Sequence, residues 1–133
     1  MSKALPINRD GKIVGHMIFC PACEQGHAFY NGDFDGKPRW SFDGNLDNPT
    51  FSPSMLVRGK LYPSGSQWPS RSEIDTMKAG EDLSKEMTPY ICHSFVKGGK
   101  IQFLNDCTHK LKGQTVELED FDELDKKHEG LTR

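Results

Sequence analysis

Tyr90-Ile91-Cys92-His93-Ser94-Phe95-Val96-Lys97-Gly98-Gly99-Lys100-Ile101-Gln102-Phe103-Leu104 is the stretch that decides the fold. Two runs rich in β-branched and aromatic residues flank a Gly-Gly pair. Gly-Gly supplies the positive φ that a two-residue hairpin turn needs. An antiparallel hairpin is therefore expected, with Val96 opposite Ile101, Ser94 opposite Phe103 and Cys92 opposite Asn105. Side chains alternate along a strand. That parity puts Cys92 and Cys107 on one face at the open end of the hairpin, and His93 on the other.

Working outward, Cys20-Pro21-Ala22-Cys23 has the spacing of a zinc knuckle. Zinc takes four Cys or His ligands tetrahedrally in a structural site. The expected ligands are Cys20, Cys23, Cys92 and Cys107, in the manner of a zinc ribbon, with Zn2+ as the cofactor. The chain has four cysteines and no apolar leader at its N-terminus. In a reducing compartment that count reads as metal ligation rather than as disulfides. The expected location is the cytoplasm of a bacterial host. His27 and His109 stand close to cysteines and are alternates for one thiolate.

The rest of the chain reads as short strands. Ile13–Phe19, His27–Tyr30, Arg39–Phe42, Met55–Val57 and Thr115–Leu118 fit half-buried strands separated by Gly, Asn and Asp turns. A short helix is expected from about Asp120 to His128 on the spacing of Leu118, Phe121 and Leu124. Residues 60–89 read as a mobile insertion with at most one short helix, for which Ser72-Glu73-Ile74-Asp75 resembles a capping box. Residues 1–10 and 129–133 read as loose ends. The expectation is one mainly-β (small α+β) domain over 1–133, stapled by zinc. At 133 residues that is one domain's worth of chain.

Charge and hydropathy remove several function classes. Lys+Arg is 17 against Asp+Glu 19. A net charge of -2 argues against nucleic-acid binding, which draws on a basic surface. No apolar run reaches the ~18 residues of a membrane span. The zinc-deaminase signature, His-Glu-x-x-His and a phosphate loop are all absent. No Gly-x-Ser-x-Gly elbow marks a nucleophilic serine.

Asn45-Leu46-Asp47-Asn48-Pro49-Thr50-Phe51-Ser52-Pro53-Ser54 is dense in short polar side chains. Its prolines restrict the backbone and bar central-strand pairing where they stand. It is expected to pack on the His93 face, giving a ligand pocket from Thr50, Ser52, Ser54, His93 and Asp106. Asp106 is a candidate to orient a histidine. His93, His109 and His27 are the candidates for catalysis, if any occurs.

The motifs Phe19-Cys20-Pro21-Ala22-Cys23, Asn48-Pro49-Thr50-Phe51-Ser52-Pro53-Ser54, Cys92-His93-Ser94-Phe95 and Asp106-Cys107-Thr108-His109 together resemble a family of small phage and prophage proteins. Its members often carry the label ammonia monooxygenase, which names a membrane copper enzyme and does not suit a chain with no membrane segment. The resemblance implies metal binding. The resulting expectation is a phage or prophage accessory protein with a structural zinc, binding a host protein or small molecule. The alternative is a small zinc-dependent hydrolase using His27, His93 and His109.

Overall fold

The computed structural model describes residues 2–31 and 39–124. Strands β1 (Leu5–Arg9), β2 (Lys12–Cys20) and β3 (Gln25–Tyr30) form one antiparallel sheet in the order β1-β2-β3. Strands β4 (Ser41–Phe42), β5 (Phe51–Leu61), β6 (Thr88–Lys97), β7 (Lys100–Phe103) and β8 (Thr115–Glu117) form a second, in chain order. The architecture is thus mainly β, with two antiparallel sheets. Residues 121–124 begin the expected C-terminal helix, and the rest of it lies outside the described residues, as do 129–133. Residues 5–9, expected in a loose arm, instead pair with β2 as an edge strand.

The hairpin turn has positive φ at Gly98 (57°) and Gly99 (80°). Its register pairs Val96 with Ile101 and Ser94 with Phe103. Alternation along β6 is regular: Tyr90, Cys92, Ser94 and Val96 are buried, while His93, Phe95 and Lys97 face outward. The two sheets meet through aromatic rings. Phe29 of β3 stacks on Phe51 of β5 at 4.2 Å, Phe42 stacks on Phe51 at 4.9 Å, and Trp40 meets Phe29 edge-on at 5.4 Å. Offset and edge-to-face pairs of this kind add to plain burial.

Residues 62–87 connect β5 to β6 and hold helix α1 (Arg71–Lys78) and a 3-10 turn at Ser84–Glu86. The capping box of α1 starts at Ser70, not at Ser72. Ser70 Oγ accepts from Glu73 N, and the Glu73 carboxylate accepts from Ser70 N at 2.8 Å. Glu73 fills the third helical position with the residue the motif prefers, whereas the Ser72 frame offers only an aspartate there.

β5 is irregular where Pro53 stands. Phe51 pairs with Val96 and Met55 with Ser94, so the register shifts between Phe51 and Met55. Four positions on β5 span two on β6. Proline has no N–H for the ladder, and the extra residues bulge outward. The Ser52–Pro53 peptide bond is cis. This bulge carries Ser54.

Candidate active site and metal centre

Two groups of side chains lie on opposite faces of β6, at neighbouring residues. On the inner face, Cys20 ends β2, Cys23 stands in the turn to β3, His27 lies on β3 and Cys92 on β6. Register explains why His27 joins. It sits opposite Ile18, two residues before Cys20, and so shares the face of Cys20. The four donor atoms lie within 4.8 Å of one another. Cys20 Sγ is 3.9 Å from Cys92 Sγ, and Cys92 Sγ is 4.0 Å from His27 Nε2. A tetrahedron with Zn–S of about 2.3 Å and Zn–N of about 2.0–2.1 Å has edges near 3.8 Å (S···S) and 3.6 Å (S···N). The donors are thus close enough to hold a metal ion, and they tie the three-stranded sheet to β6.

The electrostatics of the cluster fit the same picture. Hydrogen bonds from Cys20 and Cys92 hold the Cys23 thiol far below its ordinary range. Cys92 is pushed up, first by its hydrogen bonds with Cys20 and Cys23, then by burial and by the charge of those two neighbours. Burial lowers His27, but hydrogen bonds to Cys20 and Cys23 and their charge outweigh it and raise the ring to about 9. A concentration of thiolate charge that draws a proton onto a buried imidazole is one that a cation would neutralise. Tyr90 Oη, 3.0 Å from Cys23 Sγ, completes the polar surroundings.

On the outer face, three side chains form a line. Ser54 Oγ is 3.0 Å from His93 Nε2, and His93 Nδ1 is 3.0 Å from Asp106 Oδ2. The Asp106 carboxylate can only accept, so Nδ1 carries the proton and Nε2 presents its lone pair to the Ser54 hydroxyl. Both ends are braced by the backbone. The Trp40 indole N–H donates to the Ser54 carbonyl at 3.3 Å. The turn bearing Asp106 is stitched to the edge of β6: Leu104 N donates to His93 O at 2.9 Å and Thr108 N to Ile91 O at 3.0 Å. Cys107 Sγ accepts from His93 N and donates to His93 O, both at 3.2 Å.

Cys107, the expected fourth ligand, therefore lies against the backbone of His93 and is outside the four-donor group. Strand parity ends with β7 at Phe103, and the turn beyond it does not keep a two-residue period. His27, the alternate, stands in its place. His109 is also outside the group: its ring packs edge-on against Phe103 at 4.7 Å, Nδ1 accepts from Leu111 N, and burial lowers its basicity. The three candidate histidines thus occupy three different surroundings. Of the polar loop residues, Ser54 reaches His93. Thr50 Oγ1 instead accepts from Gly98 N at 2.8 Å, and the Ser52 carbonyl accepts from Ser41 Oγ at 3.3 Å.

Serine, imidazole and carboxylate in series at these distances form the constellation of serine proteases, which is recognised by geometry and not by chain order. A family model for the serine protease of a bacterial ubiquitination-like system, BubE, matches residues 2–104. The chain belongs to the BubE family. No curated protein and no solved structure matches it. Membership in BubE overturns the expected phage accessory protein that binds a host protein or small molecule. The zinc-hydrolase alternative gains no support either, because its three histidines do not converge. Sequence reasoning placed Ser54 in a ligand pocket and not at the head of such a line, because the familiar nucleophile signature is a strand-to-helix elbow, and here the serine rides a β-bulge. Among the described residues no helix is long and apolar enough to cross a membrane.

Proposed function

We propose that this protein is a serine protease in which Ser54 is the nucleophile, His93 the general base and acid, and Asp106 the group that orients His93. The observation that carries this is the unbroken line Ser54–His93–Asp106, with 3.0 Å at each link. BubE membership supports it and points to an amide bond in a protein of a ubiquitination-like system.

The residues act as follows. His93 Nε2 takes the Ser54 proton as Oγ attacks the carbonyl carbon of the scissile amide. The C–N bond then breaks, and the same nitrogen delivers that proton to the leaving amine, leaving an acyl ester on Ser54. Water, activated by His93, hydrolyses the ester and restores the hydroxyl. Asp106 keeps the productive tautomer and favours the transient imidazolium.

The metal we assign to Cys20, Cys23, His27 and Cys92 is zinc, on the strength of a Cys3His donor set whose atoms lie within 4.8 Å of one another. Four protein ligands close the shell, so zinc would supply folding stability and not a reactive water. Its ligand Cys92 immediately precedes His93, so the same strand holds the metal inside and the base outside. Reduced thiols throughout suit a reducing compartment such as the bacterial cytoplasm.

The test is covalent labelling. A fluorophosphonate should modify one residue, Ser54, read by intact mass and peptide mapping, and Ser54→Ala should abolish the adduct. An unlabelled protein, or one labelled equally after Ser54→Ala, would refute the assignment.

A further inference from the structure

We propose that the depression beside the triad is a subsite for one apolar side chain of the protein substrate, next to the scissile bond, with Phe95 as its floor. This rests on the serine-protease reading above. The depression has a volume of about 370 Å³ and is lined by Thr50, Phe51, Ser52, Phe95, Val96, Lys97 and Gln102.

Its position follows from strand geometry. Phe95 is two residues after His93 on β6, where alternation is regular. Residues i and i+2 share a face of a strand and lie about 6.5–7 Å apart. The floor of the depression is therefore about that far from the Ser54–His93 pair. An extended peptide advances about 3.3 Å per residue. A peptide with its amide at Ser54 Oγ thus brings a side chain from within two residues of that bond over Phe95.

The chemistry of the lining names the occupant. Phe95 is 42% exposed, and Leu56, paired with His93 on the same face, is 43% exposed. Large apolar side chains held open on either side of a catalytic base gain most by being covered when substrate binds. Volumes of a few hundred Å³ suit side-chain-sized guests. Among the described residues no carboxylate lines the depression, and the one cation that does, Lys97, stands at the turn end of β6. An apolar guest leaves that ammonium in water, whereas a lysine or arginine guest would meet a like charge.

The experiment uses the full chain and a degenerate-peptide library, with cleavage sites read by mass spectrometry and fluorophosphonate labelling run in parallel. Aliphatic or aromatic residues should be enriched about tenfold or more at one position within two residues of the cut. Phe95→Ser should lower that enrichment about tenfold. Gln102→Lys, which places a charge directly across from Phe95 on β7 while keeping the Phe95 ring, should shift preference away from apolar residues. Labelling of Ser54 together with an uncut library, with cuts lacking an apolar preference, or with a preference unmoved by both variants would overturn the subsite alone. Failure of the fluorophosphonate to label Ser54 would overturn the serine-protease reading, and the subsite with it.

Discussion

Replacing Asp106 by asparagine tests the triad most closely, because the structure sets how much should be lost. Asp106 Oδ2 is 3.0 Å from His93 Nδ1, and the two side chains are 54% and 25% exposed. At that distance a full carboxylate–imidazolium attraction is worth about 1.4 kcal/mol in water and about 5.5 kcal/mol at an effective dielectric of 20. A carboxylate half in solvent falls between these limits, at about 2–4 kcal/mol. Each ~1.36 kcal/mol is tenfold in rate, so Asp106→Asn should slow Ser54 acylation roughly 30- to 1000-fold. That is less than the ~10⁴-fold known for a buried triad aspartate, because water screens the pair and the amide can still offer its oxygen to Nδ1–H. The assay is the second-order rate of fluorophosphonate labelling, followed by intact mass, with unchanged thermal unfolding as the control for folding. A variant labelling within about threefold of the parent would refute the orienting role of Asp106.

The metal and the fold give two further expectations. Cys92→Ser should lose the metal, measured by elemental analysis of purified protein, because it removes one of four donors. Cys107→Ser should keep it, since among the described residues that thiol makes its hydrogen bonds to the His93 backbone and stands outside the four-donor group; metal loss on Cys107→Ser would reinstate it as a ligand. Glu73 offers a pH test. Hydrogen bonds from the Ser70 backbone and from Ser64 hold its carboxyl at about 2, below the ordinary 4.5. A depressed folded pKa contributes stability that is full above 4.5 and is lost as pH falls towards 2. Glu73→Gln should therefore lower the melting temperature at pH 7, with the gap closing between pH 4.5 and 2. A gap that stays constant across that window would contradict the capping role.

Local signals were read from the sequence wherever a short segment decides its own shape. Gly98-Gly99 dictates the hairpin, and the hairpin fixes its register and the opposed faces of Cys92 and His93. Cys20 and Cys23 form a pair by spacing alone. The fourth donor needed more. His27, already an alternate ligand on the sequence, is singled out by carrying strand parity through the β2–β3 hairpin, where it faces Ile18 on the side of Cys20. Cys107 was placed by parity over residues that are no longer strand, where the two-residue period has no physical basis.

Composition and spacing thus settled the sheet-rich architecture, the central hairpin and the knuckle, because each depends on backbone preferences within a few residues. The sequence grouped Ser54, His93 and Asp106 in one expected pocket; tertiary structure alone decided that they form a line. Ser54, His93 and Asp106 are far apart along the chain, and their meeting depends on a register shift in β5 and on a turn tied to the edge of β6. No turn residue in 48–54 distinguishes a nucleophile from an ordinary serine. Only the pairing of β5 with β6, paid for by the buried contacts of Phe51, Met55, Cys92 and Val96, sets that hydroxyl against an imidazole.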